Sequence, residues 1–172
     1  IAKQHRPMLV NAYDNSVRYT DYVLSKIIDY LGSLENTSSA LLYCADHGED
    51  LIDDHRERFL HASPTTTAYQ LYVASLAWFS ESYRERFPEK VAAAEANATA
   101  PATTHALFHT MADMASIRGR FLTTKVSLVS PDFDRTAPRR YLNDHNEAVP
   151  YRKTGLRPED MEVFRRYGIE LN

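Results

Sequence analysis

The chain has 172 residues, of which 44% are apolar and 25% charged, and its formal net charge is −3. That is enough chain for one domain with a hydrophobic core, and the balance is ordinary for a globular protein. The charge leaves no basic footprint for nucleic acid and no polybasic segment for an anionic membrane surface.

Cys44 is the only cysteine, so no internal disulfide can form. A domain of this size needs none, and the compartment is left open. No run reaches the roughly 18–20 apolar residues of a membrane span, and no signal peptide is visible. The chain starts at Ile1 already in mid-pattern, which reads as a piece of a longer protein.

Residues 1–12 are a short lead-in, in which "MLVNAY" suits a strand end or the approach to a helix. From about Asp14 to Leu34 the pattern is helical. Tyr13, Val17, Leu24, Ile27, Ile28 and Leu31 recur near helical spacing, with Arg18, Asp21, Ser25 and Asp29 between them. Gly32 suits the C-cap and "ENTSS" a loop. Leu41 to Ala45 is a continuous apolar run of the kind found in buried parallel strands. Residues 47–68 are polar, without periodicity, and long for a loop, which points to function. "LYVASLAWF" (Leu71 to Phe79) is a second strand candidate. Residues 80–101 read as a charged helical excursion. Thr103 or Thr104 suits the N-cap of a helix running to about Ser116, with Leu107, Phe108, Met111, Ala112 and Ala115 as its apolar face. A weaker strand is expected within 121–130, and a short helix from Pro158 to Tyr167. Helices and strands in this order suggest one α/β domain, in which ligands bind beyond the carboxyl ends of the strands.

The apolar run at 41–45 stops abruptly at Asp46-His47-Gly48-Glu49. Carboxylate and imidazole suit zinc, and also manganese or iron. Adjacent residues can share one ion where the strand has ended and the backbone turns, and Gly48 supplies freedom for that turn. Glu49 could be a further ligand, an acceptor that fixes His47, or a helix N-terminal charge. His55 and His61 lie on the same long loop and could return to the site; the apolar pair Phe59-Leu60 could anchor His61. Each of these has a plainer explanation. Asp-His-Gly is a respectable turn sequence. "DDHRER" around His55 reads as a solvated charged segment, and a lone loop histidine is more often structural. His105 and His109 have metal-ligand spacing on a helix, but no Glu of the H-E-x-x-H kind lies between them. Cys44 reads as a small buried apolar residue.

Four segments taken in order sharpen this. "NAYDNSVRYTDYVLSKIIDYL", "ALLYCADHGEDL", "RFLH" and "THALFHTMADMASI" resemble the alkaline phosphatase/sulfatase superfamily. Within it they are similar to the periplasmic catalytic domain of phosphoethanolamine transferases that modify lipopolysaccharide. The resemblance runs from about Asn11 to Ile117 and is most specific at D-H-G-E. It implies an α/β fold, part of an alkaline-phosphatase-like mixed/parallel sheet flanked by helices, with residues 1–172 as the C-terminal portion of the catalytic domain. It implies that Asp46 and His47 are metal ligands, with zinc the usual ion and manganese an alternative, and that His61 contacts the transferred phosphate. The implied reaction moves phosphoethanolamine from phosphatidylethanolamine, through a threonine nucleophile, to a lipopolysaccharide acceptor. The implied place is the periplasmic face of a bacterial inner membrane, on a membrane-anchored parent.

The threonine and the other acidic ligand belong to the family's N-terminal half, and no segment here resembles either; the fragment alone is expected to be inactive. Asp50 stands where the transferases usually carry Ser. The implied partners are the phospholipid donor, the lipopolysaccharide acceptor and the missing N-terminal half, with self-association another way to cover an open sheet edge. A sulfatase or phosphoglycerol transferase of the same superfamily, or a non-catalytic interaction module that keeps the fold, are the alternatives.

Overall fold

The computed structural model describes residues 3–61, 66–143 and 145–169. Helix α1 spans Arg6–Ser33, with Pro7 in its first turn. Proline lacks an N–H there without loss, because the first turn has no acceptor for it. The helix therefore starts earlier than its apolar periodicity suggested, and "MLVNAY" is helical. Gly32 lies inside the last turn, against the ring of Trp78, and the C-cap falls at Leu34.

Strand β1, Ala40–Cys44, pairs antiparallel with β4, Ser75–Phe79, in the register Ala40↔Phe79 to Cys44↔Ser75. The apolar run that suggested a parallel neighbour thus has an antiparallel one. Among the described residues no other strand pairs with either of them. Between the two, the long polar segment is not structureless. It holds a tight hairpin of β2, Asp50–Leu51, and β3, Phe59–Leu60, and a one-turn helix α2, Ala68–Leu71. Part of that segment, residues 62–65, lies outside the described residues. The second strand is accordingly shorter than the 71–79 expected, because its first residues belong to α2 and its exit.

The charged excursion is two helices, α3 (Glu81–Arg86) and α4 (Pro88–Asn97). Ser80 caps α3 by accepting from the Tyr83 N–H at 3.2 Å. Helix α5, Ala106–Met114, starts after His105 rather than at Thr103 or Thr104. Its buried face is Ala106, His109, Thr110, Ala112 and Met114, whereas Phe108 and Met111 are about three-fifths exposed (60% and 59%). The expected apolar face is corrected here by tertiary packing: Thr110 is buried because its hydroxyl accepts the Leu128 N–H at 2.9 Å. No strand forms within 121–130; a 3-10 turn occupies Thr124–Val126. The chain then makes a hairpin of β5, Arg140–Leu142, and β6, Ala148–Pro150, and ends in α6, Pro158–Arg166, close to where its periodicity placed it.

The core gathers Phe79, Tyr83, Val91, Met114 and Val129, with Ala40 and Leu42 packed against them. Tyr83 brings a polar atom inside and satisfies it: its hydroxyl donates to the Met114 carbonyl at 2.7 Å. Burial pushes the phenol up to about 12. Helix α1, by contrast, has no buried residue.

Candidate metal centre

The site begins where β1 ends. Ala45 N–H donates to the Ala74 carbonyl at 3.0 Å, so the pairing of β1 with the chain before β4 continues one step past Cys44. Gly48 N–H donates to the Gln70 carbonyl at 2.8 Å. A Cβ on Gly48 would lie 1.9 Å from the Tyr69 carbonyl oxygen. Glycine is needed for this close approach to α2, whereas the sequence suggested it for the freedom to turn. The strand tip is therefore clamped to α2, and Asp46 and His47 sit just before the clamp.

His47 Nδ1 lies 3.0 Å from the Gly48 carbonyl, to which only an N–H can donate. That tautomer leaves an electron pair on Nε2, and Nε2 faces Asp46 Oδ2 at 3.7 Å. Two electron-pair donors facing each other ask for a cation between them. Bonds of zinc length would bring them to about 3.3 Å, so only a small adjustment separates the pair from a ligand geometry. The Asp46 carboxylate is held below the usual range, first by the His47 backbone N–H, which its Oδ1 accepts at 3.0 Å.

His61 reaches the same place from the far end of the β2–β3 hairpin. The two imidazole rings are 3.9 Å apart between centroids. Leu60, just before His61, takes a left-handed conformation at φ 59°, and so does Ile52 at φ 59° at the other end of the hairpin. A β-branched residue pays for such a conformation only where its surroundings hold it. Ile52 is so held: its N–H donates to Arg58, and its carbonyl accepts from Arg6 Nε at 2.9 Å.

Glu49 reaches both rings. Its Oε1 lies 2.8 Å from His61 Nδ1 and 3.7 Å from His47 Nδ1. A carboxylate that holds one imidazole nitrogen leaves the other for a ligand, the arrangement common around metals. Ligand atoms of His47, Glu49 and His61 all lie within 4.8 Å of one another. Glu49 Oε2 is buried with no hydrogen-bond partner among the described residues, and such an oxygen asks for positive charge nearby. The donor set is nitrogen and carboxylate oxygen, which suits zinc. The residues present fit a divalent ion.

The other singled-out residues lie elsewhere. His55 is exposed and pairs with Glu159 at 3.8 Å. His105 and His109 meet edge to face at 5.1 Å, and His109 Nδ1 accepts the Thr123 N–H at 3.3 Å. Burial, and then the neighbouring His105, lower the His109 pKa, so it is a packing residue. Cys44 is half-buried, and burial pushes its thiol up.

Asp50 is buried and accepts from Thr67 Oγ1 at 2.7 Å and from Gln70 Nε2. "DDHRER" is not merely solvated charge. Arg56 joins Asp54 at 2.5 Å and Asp160 at 2.8 Å, and Asp160 is fully buried. The signal for this was an arginine flanked by acids together with an Arg-Pro-Glu-Asp helix start far downstream. Nothing in either segment alone says that they meet.

Residues 3–117, well over half of the chain, match the family model described as Sulfatase. The chain belongs to the sulfatase family. Among its relatives in this sulfatase family, phosphoethanolamine transferase EptA of Salmonella typhimurium is 31% identical over 127 residues, covering 72% of the chain and 23% of that protein. Phosphatidylethanolamine transferase Mcr-2 of Escherichia coli is 39% identical over 80 residues, covering 46% of the chain and 14% of that protein. Of solved structures, the C-terminal periplasmic domain of EcEptC from Escherichia coli superposes with a TM-score of 0.71 at 24% identity, over 84% of the chain and 40% of that domain. The same domain has been solved in complex with zinc (TM-score 0.67). These likenesses carry the fold class: α/β, part of an alkaline-phosphatase-like domain. The chain spans less than a quarter of the length of the curated relatives named here and 40% of the solved domain.

Proposed function

We propose that this chain is the C-terminal portion of the catalytic domain of a metal-dependent phosphoethanolamine transferase. Its donor is phosphatidylethanolamine, its acceptor a lipopolysaccharide of the lipid A class, and its place the periplasmic face of a bacterial inner membrane. One observation carries the reading: a strand tip and a hairpin end, fourteen positions apart from His47 to His61, bring ligand atoms of His47, Glu49 and His61 within 4.8 Å of one another, with Asp46 Oδ2 3.7 Å from His47 Nε2. The relatives' names support the reaction, and the zinc-bound neighbour supports the ion.

Asp46 Oδ2 and His47 Nε2 would hold the ion, with zinc the first choice and manganese the second. A bound divalent cation supplies positive charge that polarises the phosphoryl oxygens. Glu49 fixes the His61 ring and leaves Nε2 aimed outward, where it contacts an oxygen of the transferred phosphate. The His47 N–H favours the ionised form of Asp46, the form that can hold a cation. The nucleophile and the remaining acidic ligand come from outside this chain.

The test uses the whole protein that carries the chain, with zinc content and transfer of phosphoethanolamine to lipid A both measured. Asp46→Ala and His47→Ala are expected to lose zinc and transfer together. Glu49→Gln is expected to lower both by about 10–100-fold, the usual effect of losing an orienting group. Wild-type zinc occupancy and transfer in both alanine variants would overturn the reading.

A further inference from the structure

A cavity of about 260 Å³ opens beside the strand tip. Glu49 lines it at the metal side, Tyr13, Tyr69 and Tyr72 lie along it, and Arg166 and Tyr167 enter from the end of α6. We propose that this cavity is the seat for a sugar ring of the glycolipid acceptor, a proposal that rests on the transferase reading above.

Four features select a sugar. The rings of Tyr72 and Tyr167 stack at 5.1 Å and 25°, yet remain 46% and 59% exposed. Phenol rings pair an apolar face with a polar tip, which matches a pyranose with its C–H faces and hydroxyl rim. Among the described residues, the hydroxyls of all four tyrosines and the Arg166 guanidinium have no hydrogen-bond or ion-pair partner, so they are open to a ligand. The volume suits one ring and its substituents rather than a lipid chain.

The arginine decides between the two substrates. Of the charged groups that line the cavity, Asp53 is paired with Arg6 at 3.0 Å and Glu49 lies 2.8 Å from His61, whereas the Arg166 guanidinium is unpaired among the described residues; it repels the ammonium of the donor headgroup and attracts a phosphate or carboxylate on a sugar. A ring seated here has Glu49 at one end, and Glu49 holds His61 at 2.8 Å. An acceptor hydroxyl is thereby brought beside the residue that contacts the transferred phosphate. Helix α6 lies outside the stretch that matches the sulfatase family model, so the seat would set acceptor choice independently of the shared chemistry.

The probe is Kdo(2)-lipid A in detergent micelles, and binding to the whole zinc-loaded protein is measured by calorimetry. Tyr72→Ser combined with Tyr167→Ser is expected to weaken binding about 10-fold, the size of a lost aromatic contact. Arg166→Gln, at an exposed helix end, is expected to weaken binding of the intact glycolipid but not of a form stripped of both its phosphates and its sugar carboxylates. Circular dichroism reports folding; if the serine variant unfolds, the arginine variant decides. Wild-type affinity in the folded variants overturns the seat. Release of diacylglycerol from phosphatidylethanolamine by the wild-type protein is measured separately. Loss of glycolipid binding in the variants with no diacylglycerol release by wild type would leave the seat standing and sink the transferase reading. Normal release with unchanged variant binding would do the reverse.

Discussion

Gly48 shows how one absent methyl group can set a site. The backbone of α2 passes so close that a Cβ would meet the Tyr69 carbonyl at 1.9 Å. Backbone cannot yield as a flexible side chain can. Gly48→Ala must therefore push the strand tip off α2, break the Gly48–Gln70 hydrogen bond, and move His47. The expected cost is about 1–3 kcal/mol, as for overpacking in a tight interior. Denaturant unfolding measures it, and zinc content is expected to fall in the same variant. The same scale explains why Asp46 and His47 stand out in the sequence as candidates. A polar pair placed directly after an apolar run has few roles in packing. Glu49 was harder: its residue type allowed a ligand, an orienting acceptor or a helix charge, and its 2.8 Å approach to His61 Nδ1 is what supports the orienting role proposed for it.

The hairpin between β2 and β3 is the element that builds the centre, and it is tied down from outside itself. Arg56, with a side chain only 5% exposed, bridges Asp54 in the hairpin and Asp160 at the start of α6. Asp160 also accepts the N–H groups of Ala68 at 3.0 Å and Arg157 at 2.9 Å, so it joins α2, α6 and the hairpin. Breaking a buried pair by removing one partner costs about 3–5 kcal/mol, because the other charge is left alone. Asp160→Ala is expected to lose stability of that size at pH 7. Burial raises the Asp160 pKa, but the Arg56 guanidinium and the two backbone donors outweigh it, and the net shift is downward. A carboxylate with a depressed folded pKa contributes its stability above the unfolded value of about 3.9 and loses it as pH falls through the folded value. The wild-type advantage over Asp160→Ala should therefore shrink below about pH 4, as thermal unfolding at several pH values would show. This element escaped the sequence because strands of two residues carry no period, and because the partner of Arg56 lies more than a hundred positions away.

Across the whole molecule, large apolar side chains are left exposed. Helix α1 exposes Val17 at 51%, Ile27 at 39% and Tyr30 at 64%, and β4 exposes Leu76 at 40%. The β1–β4 pair has a single partner on each strand among the described residues. Exposed contiguous apolar surface and open strand edges are interaction surfaces. The domain-sized relatives are more than twice as long as the region they share with the chain, so the proposed occupant is the remainder of that domain. The 172 residues on their own are expected to bind a dye such as ANS and to associate with copies of themselves. Joined to the preceding part of the domain, they should do neither; dye fluorescence and sedimentation compare the two.

From its sequence alone this protein revealed α1, β1, α6 and the family. The elements are local patterns, a period or an apolar run, and the family shows in the order of four such segments along the chain. Tertiary structure decided the antiparallel partner of β1, the buried face of α5, the reach of His61 to Glu49, and the meeting of Tyr72 with Tyr167. These depend on which distant segments touch, and contact between segments is settled by packing of the whole chain rather than by the residues on either side.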